Sequence, residues 1–98
     1  MRAEASQELA LVAGTLLVMT RFYFDFRADG ALSRDDEGAE LRDMEEAHRE
    51  ALGALVDAIC DIVMEGQGDQ RFAIEVRDEN GPALEITAVF GSRFLRKH

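Results

Sequence analysis

Ninety-eight residues, 47% of them hydrophobic and 32% charged, describe a single soluble globular domain, since a chain this short hides only about 60–65% of its unfolded surface and has no room for a second core. A formal charge of −9, from 20 acidic against 11 basic side chains, excludes a general nucleic-acid binder, which needs a basic face to release counterions, and points to basic partners instead. The single cysteine, Cys60, excludes an internal disulfide, and no Cys/His spacing fits zinc, so a reducing, cytoplasmic compartment fits best.

Residues 1–18 read as an N-terminal helical extension. Leu9, Val12, Leu16 and Leu17 fall on one side at helical spacing, and Glu4 and Glu8 sit near the positive end of the helix dipole. Gly14 and Thr15 weaken such a helix. The apolar run from Leu9 to Met19 has the length of a signal-peptide core but carries acids ahead of it and lacks a small-x-small cleavage site. It is also shorter than the ~20 residues a bilayer span requires.

The domain proper is expected over 19–90. Phe22, Phe24 and Phe26 alternate with Arg21, Tyr23, Asp25 and Arg27, the period of a strand with one buried face. Ala28-Asp29-Gly30 predicts a turn into a weak edge strand over 31–34, followed by an acidic, loop-like stretch from Asp35 to Leu41. Asp43, three residues before Glu46, predicts a capped start for a long helix reaching about Met64 and stopped by Gly66. Its apolar residues, Met44 to Val63, occupy about half the circumference, wider than one sheet face requires, so the surplus can receive the first helix or a partner subunit. Phe72, Ile74 and Val76, then Leu84, Ile86, Ala88 and Phe90, form two further alternating ladders, with Asn80-Gly81 predicted as the centre of a type I′ turn. Residues 91–98, with Arg93, Arg96 and Lys97, read as a basic, partly disordered tail. The expected fold is α+β: a two-layer ββαββ unit, four antiparallel strands covered by one long helix, plus the N-terminal helix.

Candidate sites are few. Asp25, Asp29, Gly30, Ser33 and Asp36 partly overlay a calcium-loop template, but Arg27 stands where a third carboxylate should ligate, so an ordinary hairpin turn explains these letters better. Glu46, Glu50, Asp57 and Asp61 form an acidic stripe on the long helix, a candidate surface for a basic partner or a solvated face. No nucleophile converges on those carboxylates, so no catalytic residue is assigned. His48 projects near the middle of the apolar face, and Cys60 sits beside that face and reads as an inert thiol. On the outer sheet face Arg21, Tyr23, Arg27 and Arg77 are candidate contacts for a small anion or partner.

Arg21-Phe22-Tyr23-Phe24-Asp25, Asp29-Gly30, Asp36-Glu37-Gly38-Ala39-Glu40-Leu41, Glu50-Ala51 and Ala73-Ile74-Glu75-Val76-Arg77-Asp78 resemble a family of short uncharacterised bacterial proteins, mainly alphaproteobacterial, over about residues 21–90. Members typically begin Met-x-Arg-Tyr/Phe-Phe-Phe-Asp, so the prefix before Met19 is either an appended segment or the product of an upstream start codon. That family is a domain of unknown function, and the resemblance implies a cytoplasmic ββαββ protein without supplying a reaction or cofactor. More loosely, the order of elements resembles HicB-type antitoxins, which pair with a small basic toxin. The expectation that follows is a non-enzymatic interaction or regulatory module, a homodimer or the partner of a basic protein, with no cofactor, nucleic acid or membrane. The alternative is a small-ligand binder or minor enzyme using the face around Tyr23 and Arg77.

Overall fold

A computed structural model describes residues 7–12, 15–65 and 69–96, with side chains from residue 18 onward. Strands β1 (Gln7–Val12), β2 (Thr15–Ala28), β3 (Ala31–Ser33) and β4 (Ala39–Leu41) precede helix α1 (Met44–Ile62), and β5 (Gln70–Asp78) and β6 (Gly81–Phe90) follow it. The sheet is antiparallel, in the order β1-β2-β5-β6, with β3 and β4 both pairing with β2. The α+β class, the antiparallel sheet and the single long helix are as expected, but β1 and β4 are strands beyond the four expected.

The N-terminal helix is not formed. Residues 7–12 and 15–18, read above as helical, are extended, and Gln7 to Val12 pair with Thr20 to Thr15. Residues 1–6 and 13–14 of that expected helix lie outside the described residues. The β-branched side chains Val12, Thr15, Val18 and Thr20 favour a strand. In consequence β2 spans about 46 Å at roughly 3.3 Å per residue, and the molecule is elongated, 62 × 31 × 16 Å.

Phe22, Phe24, Phe26 and Ala28 share the inner face with Phe72, Ile74 and Val76 and with Leu84, Ile86 and Ala88, in a register that places Phe24 beside Val76 and Ile74 beside Ile86. Ala47, Ala51 and Leu55 of α1 close over them, buried together with Phe22, Leu41, Phe72, Ile74 and Val76. Two small alanines a turn apart let the helix backbone approach the sheet closely. Asp43 caps α1 by accepting the Glu46 N–H at 2.9 Å, while Glu46 Oε1 accepts the Arg42 N–H at 2.8 Å. The reciprocal bond of the expected capping box therefore reaches one residue further back. At the other end, after a short 3₁₀ turn over Val63–Glu65, buried Gln70 donates to the Val63 carbonyl.

Three local expectations change. The stretch from Asp35 to Leu41 is not all loop: it ends in β4, and Leu41 is core because it pairs opposite Thr20 under the helix start. The second hairpin turns at Glu79 and Asn80, with only Gly81 at positive φ, and a register shift between Val76 and Arg77 absorbs the extra residue. It is Asp29 (φ 48°) and Gly30 (φ 90°) that carry paired positive φ values, between the directly opposed Ala28 and Ala31. His48 is exposed rather than central to the apolar face, which is centred on Ala47, Ala51 and Leu55.

Candidate functional site

Between β3 and β4 the ladder along β2 is interrupted. β3 pairs with 26–28 and β4 with 20–22, so β2 residues 23–25 face the five-residue stretch 34–38. The backbone groups left without strand partners are met by side chains. Asp35 Oδ2 accepts the Phe24 N–H at 3.0 Å, and Asp35 Oδ1 accepts the N–H groups of Glu37 and Gly38, each at 3.1 Å. Asp25 Oδ1 in turn accepts the Asp35 N–H at 2.9 Å.

Arg77 on the neighbouring strand locks this knot. Its Nε donates to Asp25 Oδ2 at 2.8 Å and its terminal nitrogen donates to the Asp35 carbonyl at 2.8 Å, while its guanidinium lies 4.6 Å from the centre of the Tyr23 ring. The placement follows from register, because Tyr23 and Arg77 are direct cross-strand partners on the outer face and Asp25 is the next outward residue. Asp25 is only 4% exposed. Burial alone would raise its pKa, but the bonds from Arg77 and the Asp35 N–H, together with the Arg77 charge, bring it below the ordinary aspartate value. Burial likewise opposes Asp35, and three N–H donors outweigh it, so Asp35 is also lowered. The Arg77 guanidinium is correspondingly raised, first by its hydrogen bond to Asp25.

Of the residues picked out for ligand contact, Tyr23 and Arg77 are brought together, but Arg77 is spent on Asp25 and Asp35. Arg21 pairs with Glu40 and donates to the Glu37 carbonyl at 2.7 Å, tying down the same loop. Arg27 is exposed and shares a small hollow with Asp25, Glu75 and Glu85. With Arg71 and Thr87 it borders an open hollow of about 530 Å³, floored by Ala73, at the far end of the outer face. The acidic stripe is divided: Glu50, Asp57 and Asp61 are exposed, whereas Glu46 is half-buried and held by Arg42, whose N–H and guanidinium lower its pKa. Among the described residues no three His, Cys, Asp or Glu side chains are grouped to hold a metal ion, and no helix is long and apolar enough to cross a membrane. Asp35 was not singled out from sequence, although an aspartate three residues before a glycine is the signature of a side chain folding back on a turn.

The other feature of note is on the helix. Met44, His48, Leu52, Val56, Cys60 and Met64 recur every fourth residue and are all exposed, Val56 by 55%. The first two of these, Met44 and His48, line an open groove of about 450 Å³ together with Glu45, Arg49 and, from β6, Leu84. β6 is an edge: among the described residues no strand pairs its outer side.

A family profile described as a domain of unknown function, DUF6894, matches residues 21–89. The chain belongs to the DUF6894 family. No curated protein and no solved structure matches it. The DUF6894 span contains every member of the Asp25–Asp35–Arg77 knot, α1 and nearly all of β6, and it begins inside β2, after the ladder with β1.

Proposed function

We propose that this DUF6894 protein is a non-enzymatic interaction module of the bacterial cytoplasm that works through the open flank formed by the outer row of α1 and the edge of β6. The observation that carries the reading is the exposed arc of Met44, Leu52 and Val56, an apolar surface that a small monomer with a −9 charge would ordinarily replace with polar side chains. The chemistry of the outer face supports it from the other direction, since Arg77 and Arg21 serve the fold of the 34–38 loop and leave no convergent catalytic set. Glu50, Asp57 and Asp61 are exposed on the other side of α1 and offer a separate acidic surface to basic groups.

The test is photo-crosslinking in cells of the native organism. A photoreactive residue at Val56 is expected to give a discrete adduct band, whereas the same residue at Glu75 on the opposite sheet face gives none. Absence of a discrete adduct from Val56, or equal yields from both faces, defeats the proposal.

A second reading rests on the hollow beside Arg27. Arg27 and Arg71 rim the space over Ala73 together with the Thr87 hydroxyl and Asp29, two cations to one carboxylate, a setting that could take a small anion. A thermal-shift screen decides it: an anion raising the melting temperature of wild type but not of Arg27→Ala favours this reading.

A further inference from the structure

We infer that the occupant of the α1/β6 flank is a second copy of this chain, bound with β6 antiparallel to its own counterpart about a two-fold axis at Thr87. This rests on the interaction reading above and names its partner. The edge itself is the first argument. β6 is ten residues long with Glu85 as its single charge, and beyond the irregularity at Pro82 and Ala83 nothing interrupts its outer row of backbone groups from Leu84 to Phe90. Edge strands of monomers are ordinarily short, bulged or studded with lysine, because an open apolar edge pairs with any strand it meets.

Register supplies the second argument. With Thr87 facing itself across the axis, residues whose numbers sum to 174 lie opposite one another, so the second copy's Phe90 falls beside Leu84. Phe90, opposite Gln70 at the end of the strand, is 47% exposed. Leu84 lines the open groove with Met44 and His48. Each copy therefore offers an uncovered phenylalanine to the Leu84–Met44 floor of the other copy's groove, whose rim carries Glu45 and Arg49, the self-complementarity that a two-fold interface demands. The same register sets Glu85 against Val89, avoiding the like-charge opposition that an axis at Glu85 would create.

Charge is the third. The strand ends at Phe90, and the irregular segment that follows it in the second copy carries Arg93 and Arg96 out at the end of the paired strands that holds the Asp78–Gly81 turn, where Asp78 and Glu79 stand exposed or half-exposed. The basic end of an otherwise acidic protein thus meets acid. The two helices would lie on the same face of one continuous sheet, about 14 Å apart at three strand spacings of roughly 4.8 Å. That exceeds the 8–10 Å of direct helix packing, so Leu52 and Val56 of both copies roof the joined β6 strands through their side chains.

Sedimentation equilibrium on the full chain at about 100 µM, a concentration that reveals even weak specific pairs, is expected to give twice the 10.9 kDa monomer mass. Phe90→Glu is expected to raise the dimer dissociation constant by about tenfold or more, as for a central apolar anchor, with a cooperative melt confirming the fold. In a Cys60→Ser background, Thr87→Cys should crosslink to a covalent dimer on mild oxidation, whereas Glu75→Cys should not. A monomeric mass for wild type, or a dimer indifferent to Phe90→Glu and uncrosslinked through Thr87→Cys, overturns the inference. If the mass is monomeric while Val56 still yields a discrete adduct of another protein in cells, self-pairing fails and the interaction role stands.

Discussion

Arg77 and Asp25 lie 52 residues apart in the chain and meet through an Nε to Oδ2 bond of 2.8 Å across the β2–β5 ladder. The same guanidinium reaches the Asp35 carbonyl, so one side chain of β5 fixes both β2 and the loop that departs from its far edge. An arginine can do this where a lysine cannot, because its planar fork presents several donors in fixed directions. The face that looks most like a binding surface in the sequence is thereby occupied in holding the sheet together.

Asp35 uses both carboxylate oxygens as acceptors from backbone N–H groups. Asp35→Ala is expected to destabilise the fold by about 2–3 kcal/mol, the cost of stranding partly buried donors. Asp35→Asn should fare little better, since its NH₂ must face an N–H whichever way the amide turns. Urea unfolding checks both; an Asn variant as stable as wild type contradicts this account of the loop.

Gly30 and Gly38 both have positive φ, but their surroundings differ. A Cβ at Gly30 meets nothing within 4 Å, whereas at Gly38 it would come within 2.8 Å of the Phe22 carbonyl oxygen. Gly30→Ala is expected to cost about 1–2 kcal/mol, the penalty for a left-handed conformation. Gly38→Ala should cost clearly more, because the loop must also move off β2. Melting temperatures of the two variants in the reverse order would show that the 34–38 loop is not seated as described.

Both Asp25 and Asp35 have pKa values below the ordinary 3.8, which fixes the sign of the acid response. In the unfolded chain they take up protons first, so their contribution is fully present above 3.8 and is lost as pH falls from there through their folded values. Urea midpoints measured from about pH 7 down to about pH 3 should therefore fall on the acid side. The drop should be shallower in Asp35→Asn, which lacks one of the two groups. An identical acid limb in both proteins would count against the assignment.

The helix and the three apolar ladders at 22–28, 72–76 and 84–90 were legible because periodicity is a property of local sequence, and burial follows it directly. The N-terminal segment misled because Leu9, Val12, Leu16 and Leu17 fit a helical stripe, while the decisive fact, a long β2 offering Thr15 to Thr20 as a pairing edge, is tertiary. His48 projected onto the apolar arc only so long as that arc was taken to be symmetric; the sheet covers the Ala47–Ala51–Leu55 side and leaves the row from Met44 to Met64 outside. For the candidate site, alternation correctly put Arg21, Tyr23, Arg27 and Arg77 on the outer face. What it could not supply was that Asp25, on the same face, is buried by a loop returning from ten residues downstream.

The claim that the outer-face charges belong to the fold is tested most directly by a double-mutant cycle in urea over wild type, Asp25→Asn, Arg77→Ala and the double variant. Each single change should be strongly destabilising, with Arg77→Ala costing about 3 kcal/mol because it leaves a buried carboxylate uncompensated. A coupling energy of about 2 kcal/mol between the two sites is predicted. A coupling near zero, with Arg77→Ala almost as stable as wild type, would mean that Arg77 is not committed to Asp25 and would return it to the pool of groups available to a ligand.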